Sequence, residues 1–270
     1  MAKGAVDTPP GGPKIRRPSG RPAPCGPGRQ HPRPRRRRAS REETTIDDIG
    51  RTIAEQGLRI GAIKLNPDNP FQWASGYRMP IYNDNRMFLF HPDSRRTIAR
   101  GLAKIVEDEG IDPQVVAGTA TAGIPHGALL ADLLSLPYIY IRDKPKAHGL
   151  RNRIEGLDAE SDLEGRRVVV IEDLISTGGS SARAVEAVRE ANGVADWCLS
   201  IFSYGLEKAA EQFAALEPPC SYASLLTFPV LLGVAKDGGF LADEQIALLE
   251  AWRADPFGWG EAHGFPKVEK

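Results

Sequence analysis

Residues 168–181 read VVVIEDLISTGGSS, and this stretch decides the fold class. Its first four residues are apolar and β-branched, which is typical of a strand buried on both faces of a sheet. Glu172 and Asp173 are expected to leave that strand, and the small residues 176–181 lead into the next helix. A turn of small, hydroxyl-bearing residues at a helix N-terminus exposes main-chain N–H groups and the positive end of the helix dipole. The stretch therefore predicts a phosphate site at the end of a strand.

The two adjacent acids need a separate explanation, because carboxylates repel phosphate. They can face either sugar hydroxyls, whose hydrogen bonds they accept, or a bound divalent cation. A phosphate site beside such acids describes a sugar phosphate as the ligand. An ordinary strand, turn and capped helix with two solvated acids is the alternative, since Gly-containing turns are frequent. The stretch is neither a Walker loop nor a G-x-G-x-x-G turn, because no Lys follows its glycines and the glycine spacing differs.

The rest of the chain alternates between short apolar runs and segments with helical spacing. Thr45 is a predicted N-cap for a helix that ends at Gly57, with Asp47 and Asp48 in its first turn. Short buried strands that alternate with helices predict an α/β fold with a parallel sheet covered on both faces. The pattern predicts strands at 62–65, 78–82, 115–117, 138–141, 168–171 and 197–202, helices at 92–109, 124–134, 180–192 and 206–216, and a strand followed by helices at 220–256.

Composition limits the classes of protein to which the chain can belong. The chain has 270 residues and is 41% hydrophobic, which is enough for one sizeable core. No apolar run approaches the length that crosses a bilayer, so no membrane association is expected. Three widely spaced cysteines, Cys25, Cys198 and Cys220, indicate neither a disulfide framework nor a zinc site. A reducing cytoplasm is therefore the expected compartment.

The neutral net charge conceals an uneven distribution. Residues 1–41 contain 12 Lys and Arg and a single acid, Asp7, whereas the remaining chain has a net charge of −11. Because residues 1–43 are rich in Pro and Gly and poor in large apolar side chains, they are predicted to form a disordered basic tail. A solvated tail or an upstream start-site artefact is the first interpretation. Weak contact with nucleic acid and a targeting role stay open as less favoured interpretations of the tail. For the protein as a whole, no nucleic-acid partner is expected.

The apolar strand, paired acids and glycine-bearing turn of residues 168–181 resemble the phosphoribosyl-pyrophosphate (PRPP) motif of the type I phosphoribosyltransferase family. In that family the acids face the ribose hydroxyls and the turn holds the 5′-phosphate. The resemblance implies a catalytic role for Asp173. The PRPP-binding residues that it implies in this stretch are Glu172, Asp173, Leu174, Ile175, Ser176, Thr177, Gly178, Gly179 and Ser180.

A cation-dense loop with the sequence RDKPKAHGLRNR occupies residues 142–153, between two predicted strands. A basic loop beside a phosphate site suits the clamping of a pyrophosphate leaving group, and a solvated charged linker is the alternative. The spacing of Arg142, Lys146 and His148 resembles the catalytic loop of the orotate phosphoribosyltransferases. This likeness implies that all three bind PRPP and that Lys146 and His148 are catalytic. Asp143 stands where many members have a Lys.

Residues 71–86 read FQWASGYRMPIYNDNR and mix aromatic, basic and glycine residues. Taken alone they predict a hairpin over the core edge or a lid over a flat ligand. The string is similar to the N-terminal signature of the orotate phosphoribosyltransferases, which implies a hood over orotate and a contact from Ser176. Ala74 stands where some members have a Lys, and no Arg follows the strand at 197–202 to pair with orotate. Residues 118–125, GTATAGIP, resemble the family's pyrophosphate-side turn.

Together these likenesses imply a type I phosphoribosyltransferase-like α/β fold, with a parallel five-strand sheet flanked by helices and a small N-terminal hood. The domain is expected at 44–270, with the hood at about 44–90, the core at about 91–220 and a C-terminal helical extension at about 221–270. The implied enzyme converts orotate and PRPP into orotidine 5′-monophosphate and pyrophosphate in de novo pyrimidine biosynthesis. It would use Mg²⁺, for which the resemblance implies no particular protein ligand. It would also form a homodimer with shared active sites. A purine-type phosphoribosyltransferase and a non-catalytic PRPP-sensing regulator are the alternatives.

Overall fold

The computed structural model describes residues 44–73, 75–143, 153–158 and 161–269. The predictions made for the tail at 1–43 and for Lys146 and His148 concern residues outside these ranges. The description that follows therefore covers the hood, the central sheet with its helices, and the C-terminal extension.

The first helix, α1, spans Ile46–Ile60 and is capped as the sequence predicts. The Thr45 hydroxyl accepts a hydrogen bond from Asp48 N, and the Asp48 carboxylate accepts one from Thr45 N. The predicted helix end at Gly57 is wrong. An added Cβ on Gly57 would lie 2.8 Å from a neighbouring side-chain atom, so packing against the hood, rather than helix termination, requires this glycine. The helix ends instead at Gly61, which adopts the left-handed conformation with φ of 73°.

Two short antiparallel strand pairs and a 3₁₀ helix form the rest of the hood. The single strand predicted at 78–82 is two strands divided at Pro80, whose missing N–H cannot join a ladder. The strand at 71–72 was not predicted, because two residues are too few to show a pattern. The pairs are β1, Ile63–Leu65, with β4, Ile81–Asn83, and β2, Phe71–Gln72, with β3, Arg78–Met79, and the 3₁₀ helix is Asn85–Phe90.

The central sheet has six strands: β5, Val115–Thr119; β6, Tyr138–Ile141; β7, Ile154–Glu155; β8, Arg167–Ile175; β9, Val194–Ser203; and β10, Ser221–Thr227. Their spatial order is β10, β9, β8, β5, β6, β7. Neighbouring strands are parallel except β6 and β7, which are antiparallel. The predicted parallel sheet of five strands is confirmed, with an added antiparallel edge. Because β10 lies at the other edge, the predicted C-terminal extension contributes one strand to this sheet.

Helices pack on both faces of the sheet, and alternate residues of β8 enter two different cores. Val169 and Ile171 pack with the first two helices, whereas Val168 and Val170 pack with the helix that follows β8. This two-sided burial explains the unbroken apolar run. No helix in the described part of the chain is long and apolar enough to cross a membrane. The helices after α1 are α2, Pro92–Asp108; α3, Gly123–Leu134; α4, Gly179–Glu190; α5, Glu207–Ala214; α6, Phe228–Asp237; α7, Asp243–Ala254; and α8, Trp259–Ala262.

Strand β8 continues through the two acids, contrary to the prediction that the strand ends at Ile171. Its ladder with β9 includes Glu172 and Leu174 and reaches Ile175. Its ladder with β5 stops at Ile171. Residues 172–175 therefore have a strand neighbour on one side, and their other edge is available to side chains and ligands.

The C-terminal extension packs against the hood. Trp252 of α7 is fully buried, and its indole Nε1 lies 2.9 Å from Met79 Sδ in β3. Further along the chain, Val268 N donates a hydrogen bond to Gly76 O at 3.0 Å. The rings of Tyr77 and Phe257 meet edge to face at 5.2 Å. These contacts hold the hairpin of β2 and β3 in place.

We expect Thr45→Ala to lower the free energy of unfolding by about 1 kcal/mol, because it removes the hydroxyl that accepts from Asp48 N. Urea unfolding followed by circular dichroism measures this loss. Thr52→Ala is the matched control, since the Thr52 hydroxyl donates to the Asp48 main-chain oxygen within the same helix at 2.9 Å. That variant should stay within about 0.5 kcal/mol of the parent. Equal losses in the two variants would contradict the capping role.

Candidate active site

Glu172 is held inside the protein at the end of the sheet. The residue is 8% exposed. Its Oε1 accepts hydrogen bonds from the Thr119 hydroxyl at 2.7 Å and from Asp173 N at 3.0 Å, and its Oε2 accepts one from the Ser181 hydroxyl at 3.3 Å. Burial raises the pKa of Glu172 to about 7, and the Thr119 hydroxyl opposes this rise. Glu172 therefore connects the ends of β5 and β8 with the first turn of α4.

Asp173 lies in different surroundings, although the resemblance implies a contact with the ribose for both acids. The residue is half-buried. Burial raises the pKa of Asp173, and hydrogen bonds involving Glu172 and Asn85, together with the Arg86 charge, reduce that rise. Since the Glu172 oxygens already accept from three protein groups, the Asp173 carboxylate is better placed to accept hydrogen bonds from a ligand.

The turn that follows β8 leaves main-chain N–H groups open. Gly178 is the N-cap residue of α4, with φ of 79°, and as a glycine it has no side chain that could cap the helix. A Cβ on Gly178 would lie 3.0 Å from Ala209 Cα, so the backbone conformation and the neighbouring helix α5 both require glycine. The first N–H groups of α4 are therefore available to an anion. Of the predicted PRPP contacts, Leu174 and Ile175 end β8, Ser176, Thr177 and Gly178 form the turn, and Gly179 and Ser180 begin α4.

A second turn of small residues lies beside the acids. It follows β5, whose last residue, Thr119, donates to Glu172. Gly123 begins α3, and a Cβ there would collide with Ile171 O and with the Thr119 hydroxyl. The close approach of this turn to β8 therefore depends on glycine. The contact brings the turn at 118–125 to the same edge of the sheet as the acids.

The described ends of the cation-rich loop follow β6 and precede β7, at one edge of the sheet. Arg142 follows β6, and its guanidinium lies 3.2 Å from the Glu155 carboxylate. Arg142 N donates to Arg153 O at 2.7 Å, and Arg153 Nε donates to Arg142 O at 3.1 Å. These contacts close the base of the loop. Lys146 and His148 lie outside the described residues, so their roles stay predictions.

Two buried polar residues at this site were missed by the sequence analysis. Asn85 is 1% exposed, and its Nδ2 donates a hydrogen bond to Asp173 O at 2.8 Å. His126 of α3 is equally buried, and burial lowers its pKa to about 4, so its ring is neutral at pH 7. One Asn in a polar string and one His in a helix carry no local signal. Their place at the site is visible only in the folded protein, where segments that are distant in the sequence come together.

A cleft of about 900 Å³ lies elsewhere, between the segment after β9 and helices α6 and α7. At its wall, Arg253 donates to Tyr204 O at 3.1 Å and to Gly205 O at 3.3 Å. None of the described residues of the PRPP motif lines this cleft. The candidate active site is therefore identified by its chemistry, the acids beside an open helix N-terminus, and not by cavity size.

Known proteins share this arrangement of elements. Residues 85–200 match the family model of the phosphoribosyl transferase domain. The orotate phosphoribosyltransferase of Lactiplantibacillus plantarum is 46% identical over 215 residues, which cover 80% of this chain and 99% of that protein. The chain belongs to the orotate phosphoribosyltransferase family. A second member, from Bacillus subtilis, is 47% identical over 204 residues, 76% of this chain and 92% of that protein.

Solved structures support the family fold. The orotate phosphoribosyltransferase of Aeropyrum pernix superposes with a TM-score of 0.58 at 28% identity, over 70% of this chain and 99% of that chain. Leishmania donovani UMP synthase superposes with a TM-score of 0.63 at 22% identity, over 77% of this chain but 43% of that longer chain, and this likeness concerns the fold alone. The predicted type I phosphoribosyltransferase fold is confirmed. The chain is a pentosyltransferase with orotate phosphoribosyltransferase function, and these relatives favour neither the purine-type nor the regulator alternative.

We expect Glu172→Gln to change how the stability of the ligand-free protein depends on pH. The pKa of Glu172 is about 7 in the fold, against 4.5 ordinarily. Between these values the unfolded state binds fewer protons, so the stability of the parent protein falls as the pH rises. Glutamine has nearly the same shape as glutamate but does not titrate, so the variant does not lose stability in this way as the pH rises. The variant should therefore gain stability relative to the parent between about pH 5 and about pH 8, by an amount on the order of 1–3 kcal/mol.

Thermal and urea unfolding at the two pH values measure this difference. Glu186→Gln is the control, because Glu186 is exposed on the same helix, α4, and does not contribute to the hydrogen bonds described for Glu172. The control should follow the parent protein at both pH values. An identical pH response of the parent and Glu172→Gln would contradict a titrating buried carboxyl.

Proposed function

We propose that this site transfers the 5-phosphoribosyl group of PRPP to orotate, giving orotidine 5′-monophosphate and pyrophosphate, a step of pyrimidine biosynthesis. The observation that carries the proposal is the pairing of a half-buried carboxylate, Asp173, with an uncapped helix N-terminus at Gly178. A carboxylate accepts hydrogen bonds from sugar hydroxyls, and open N–H groups bind phosphate. Membership of the family supplies the acceptor base, orotate.

The ribose 5-phosphate part of PRPP is assigned to the end of β8 and the turn after it. The phosphate binds the N–H groups at the start of α4 and the hydroxyls of Ser176 and Thr177. Asp173 accepts hydrogen bonds from the ribose hydroxyls. The main role assigned to Glu172 is structural, because it accepts hydrogen bonds from Thr119, Ser181 and the main chain of Asp173. A direct contact between Glu172 and the ribose is its secondary role.

The pyrophosphate leaving group is assigned to the turn at 118–125 and to the cation-rich loop. Negative charge grows on pyrophosphate as the bond to the ribose breaks, so donors fixed nearby stabilise the transition state more than the ground state. Arg142, Lys146 and His148 are the proposed donors. A nitrogen of orotate attacks the ribose carbon, so the protein needs to supply no nucleophile and acts by positioning both substrates.

Orotate is assigned to the space under the hood, with Ser176 as one contact. Trp73 Nε1 donates to Ile81 O at 3.1 Å, and the Trp73 ring lies 6.0 Å from the ring of Tyr204. Aromatic side chains of the hood and of the segment after β9 thus meet on this side of the site. A flat, planar base suits such surroundings.

Magnesium is the proposed cofactor, and the side chains of the site fit it. Mg²⁺ commonly takes one or two carboxylates together with substrate phosphates and keeps several water molecules. Asp173 is the carboxylate available for such a contact, because Glu172 accepts from three protein groups. The ion, when bound, neutralises charge on the pyrophosphate.

We also propose a homodimer in which the loop at 144–152 serves the neighbouring active site, and a cytoplasmic location. The loop assignment rests on the resemblance of its spacing to the catalytic loop of the family. Cys198 and Cys220 are buried free thiols, which is consistent with a reducing compartment.

We expect Asp173→Asn to lower kcat/KM for PRPP by about 10- to 100-fold with the fold intact, because an amide accepts hydroxyl bonds less strongly than a carboxylate. Initial rates at varied PRPP measure this loss, and circular dichroism checks the fold. Asp112→Asn is the control, since Asp112 pairs with Arg167 at the opposite end of β8. A PRPP response of Asp173→Asn that matches both the control and the parent would remove Asp173 from the ribose site.

We expect Lys146→Ala to depress kcat far more than it raises KM for orotate, because its donor acts on the leaving group. If the loop serves the partner subunit, mixing this variant with an Asp173→Ala chain restores activity. Random pairing makes half of the dimers mixed, each with one intact site, so roughly a quarter of the parent activity should return. Native mass spectrometry verifies that mixed dimers form. Mixed dimers without activity would mean that each loop serves its own subunit.

A further inference from the structure

Asn85 joins the hood to the PRPP motif through a partly buried hydrogen bond. It is the first residue of the 3₁₀ helix after β4, and it is 1% exposed. Its Nδ2 donates to the main-chain oxygen of Asp173 at 2.8 Å, across 88 positions of sequence. Its Oδ1 has no hydrogen-bond partner among the described residues. A buried amide whose oxygen has no such partner calls for a specific role.

The geometry of β8 explains why Asp173 needs such a donor. The ladder between β8 and β5 stops at Ile171, whereas β8 itself runs to Ile175. Beyond Ile171 no β5 residue continues the ladder, so main-chain groups on that edge of β8 need other partners. A buried carbonyl without a donor is costly. Asn85 supplies the donor for Asp173.

We infer that Asn85 is a positioning residue, which fixes the main chain of Asp173 and thereby directs the Asp173 carboxylate towards the ribose of PRPP. The inference deepens the proposed function and rests on it for the identity of the ligand. Asn85 does not itself touch substrate in this assignment. Its effect passes through Asp173, so its loss should act on PRPP and spare orotate.

The side chains around this bond favour a positioning role over a charge effect. The amide of Asn85 also lowers the pKa of the Asp173 carboxyl against the effect of burial. Burial lowers the pKa of His126 to about 4 against the effect of the Asn85 main chain, so this ring is neutral at pH 7. Arg86 carries the nearby positive charge, but its guanidinium is paired with Asp84 at 2.6 Å. Asn85 is thus a neutral donor that acts directly on the main chain of Asp173.

The test is the kinetic effect of Asn85→Leu, a substitution of similar size that has no donor. We expect KM for PRPP to rise about tenfold. The Asp173 carbonyl loses its donor in this variant, so the Asp173 carboxylate is no longer held in the direction of the ribose. KM for orotate should stay within about twofold of the parent value. A folded Asn85→Leu variant with unchanged KM for PRPP would overturn the inference. Equal rises in both KM values would overturn it too, because they would indicate a general disturbance of the hood.

Asn66→Ala is the matched control. Asn66 lies in the hood turn after β1, and its Oδ1 accepts a bond from Asn69 N at 3.1 Å. The control thus removes a hood asparagine whose side-chain hydrogen bond lies within the hood turn. It should leave both KM values at the parent level. A selective PRPP effect in the control as large as that of Asn85→Leu would also overturn the inference, since the effect would then not require Asp173.

If Asn85→Leu does not fold, as judged by near-ultraviolet circular dichroism, Asn85→Ser replaces it. The serine hydroxyl is one bond shorter than the amide and cannot span the same distance, so the same selective rise in KM is expected. Calorimetric titration with PRPP alone separates this inference from the proposed function. Should the parent protein fail to use orotate, the proposed function fails, and weaker PRPP binding by the Asn85 variant would still support the positioning role. Equal PRPP binding by parent and variant would overturn it.

Discussion

The rest of the site depends on one feature, the extension of β8 beyond the end of its ladder with β5. Residues 172–175 pair with β9 but not with β5, so their other edge is available to side chains such as that of Asn85. Glu172 enters the buried end of the sheet, where Thr119 and Ser181 donate to it. Burying a carboxylate is costly unless donors surround it. Its hydrogen bonds therefore hold the turn after β5 and the start of α4 at fixed positions around Asp173.

The hood is bound to this centre from two directions. Asn85 connects the end of the hood to Asp173, while Trp252 and Val268 of the C-terminal extension hold Met79 and Gly76 of the hairpin. The proposed orotate site and the proposed PRPP site thus lie on elements that share direct contacts. An enzyme that joins two substrates gains from such an arrangement, because the reacting atoms must be held within a narrow range of geometry.

Most of the fold could be predicted from local patterns. The apolar runs at Val115 and Val168 and the helical spacing after Pro92 correspond to observed strands and a helix. The errors lie where tertiary packing overrides a local signal. Gly57 resembles a helix terminator but lies inside α1, because the hood packs too closely there for a Cβ. The acids resemble the start of a loop, yet β9 continues to pair with them and keeps them in the strand.

The sequence by itself determined the class of the site: strand, paired acids, glycine turn and helix lie within one short stretch, so their chemistry is visible without knowledge of the fold. Only the tertiary structure decided which acid is buried and which is half-buried, because the donors to Glu172 come from β5 and α4. It also revealed Asn85, whose partner lies 88 positions away. Hydrogen bonds between distant segments depend on how the chain packs, and no local pattern of residues encodes them.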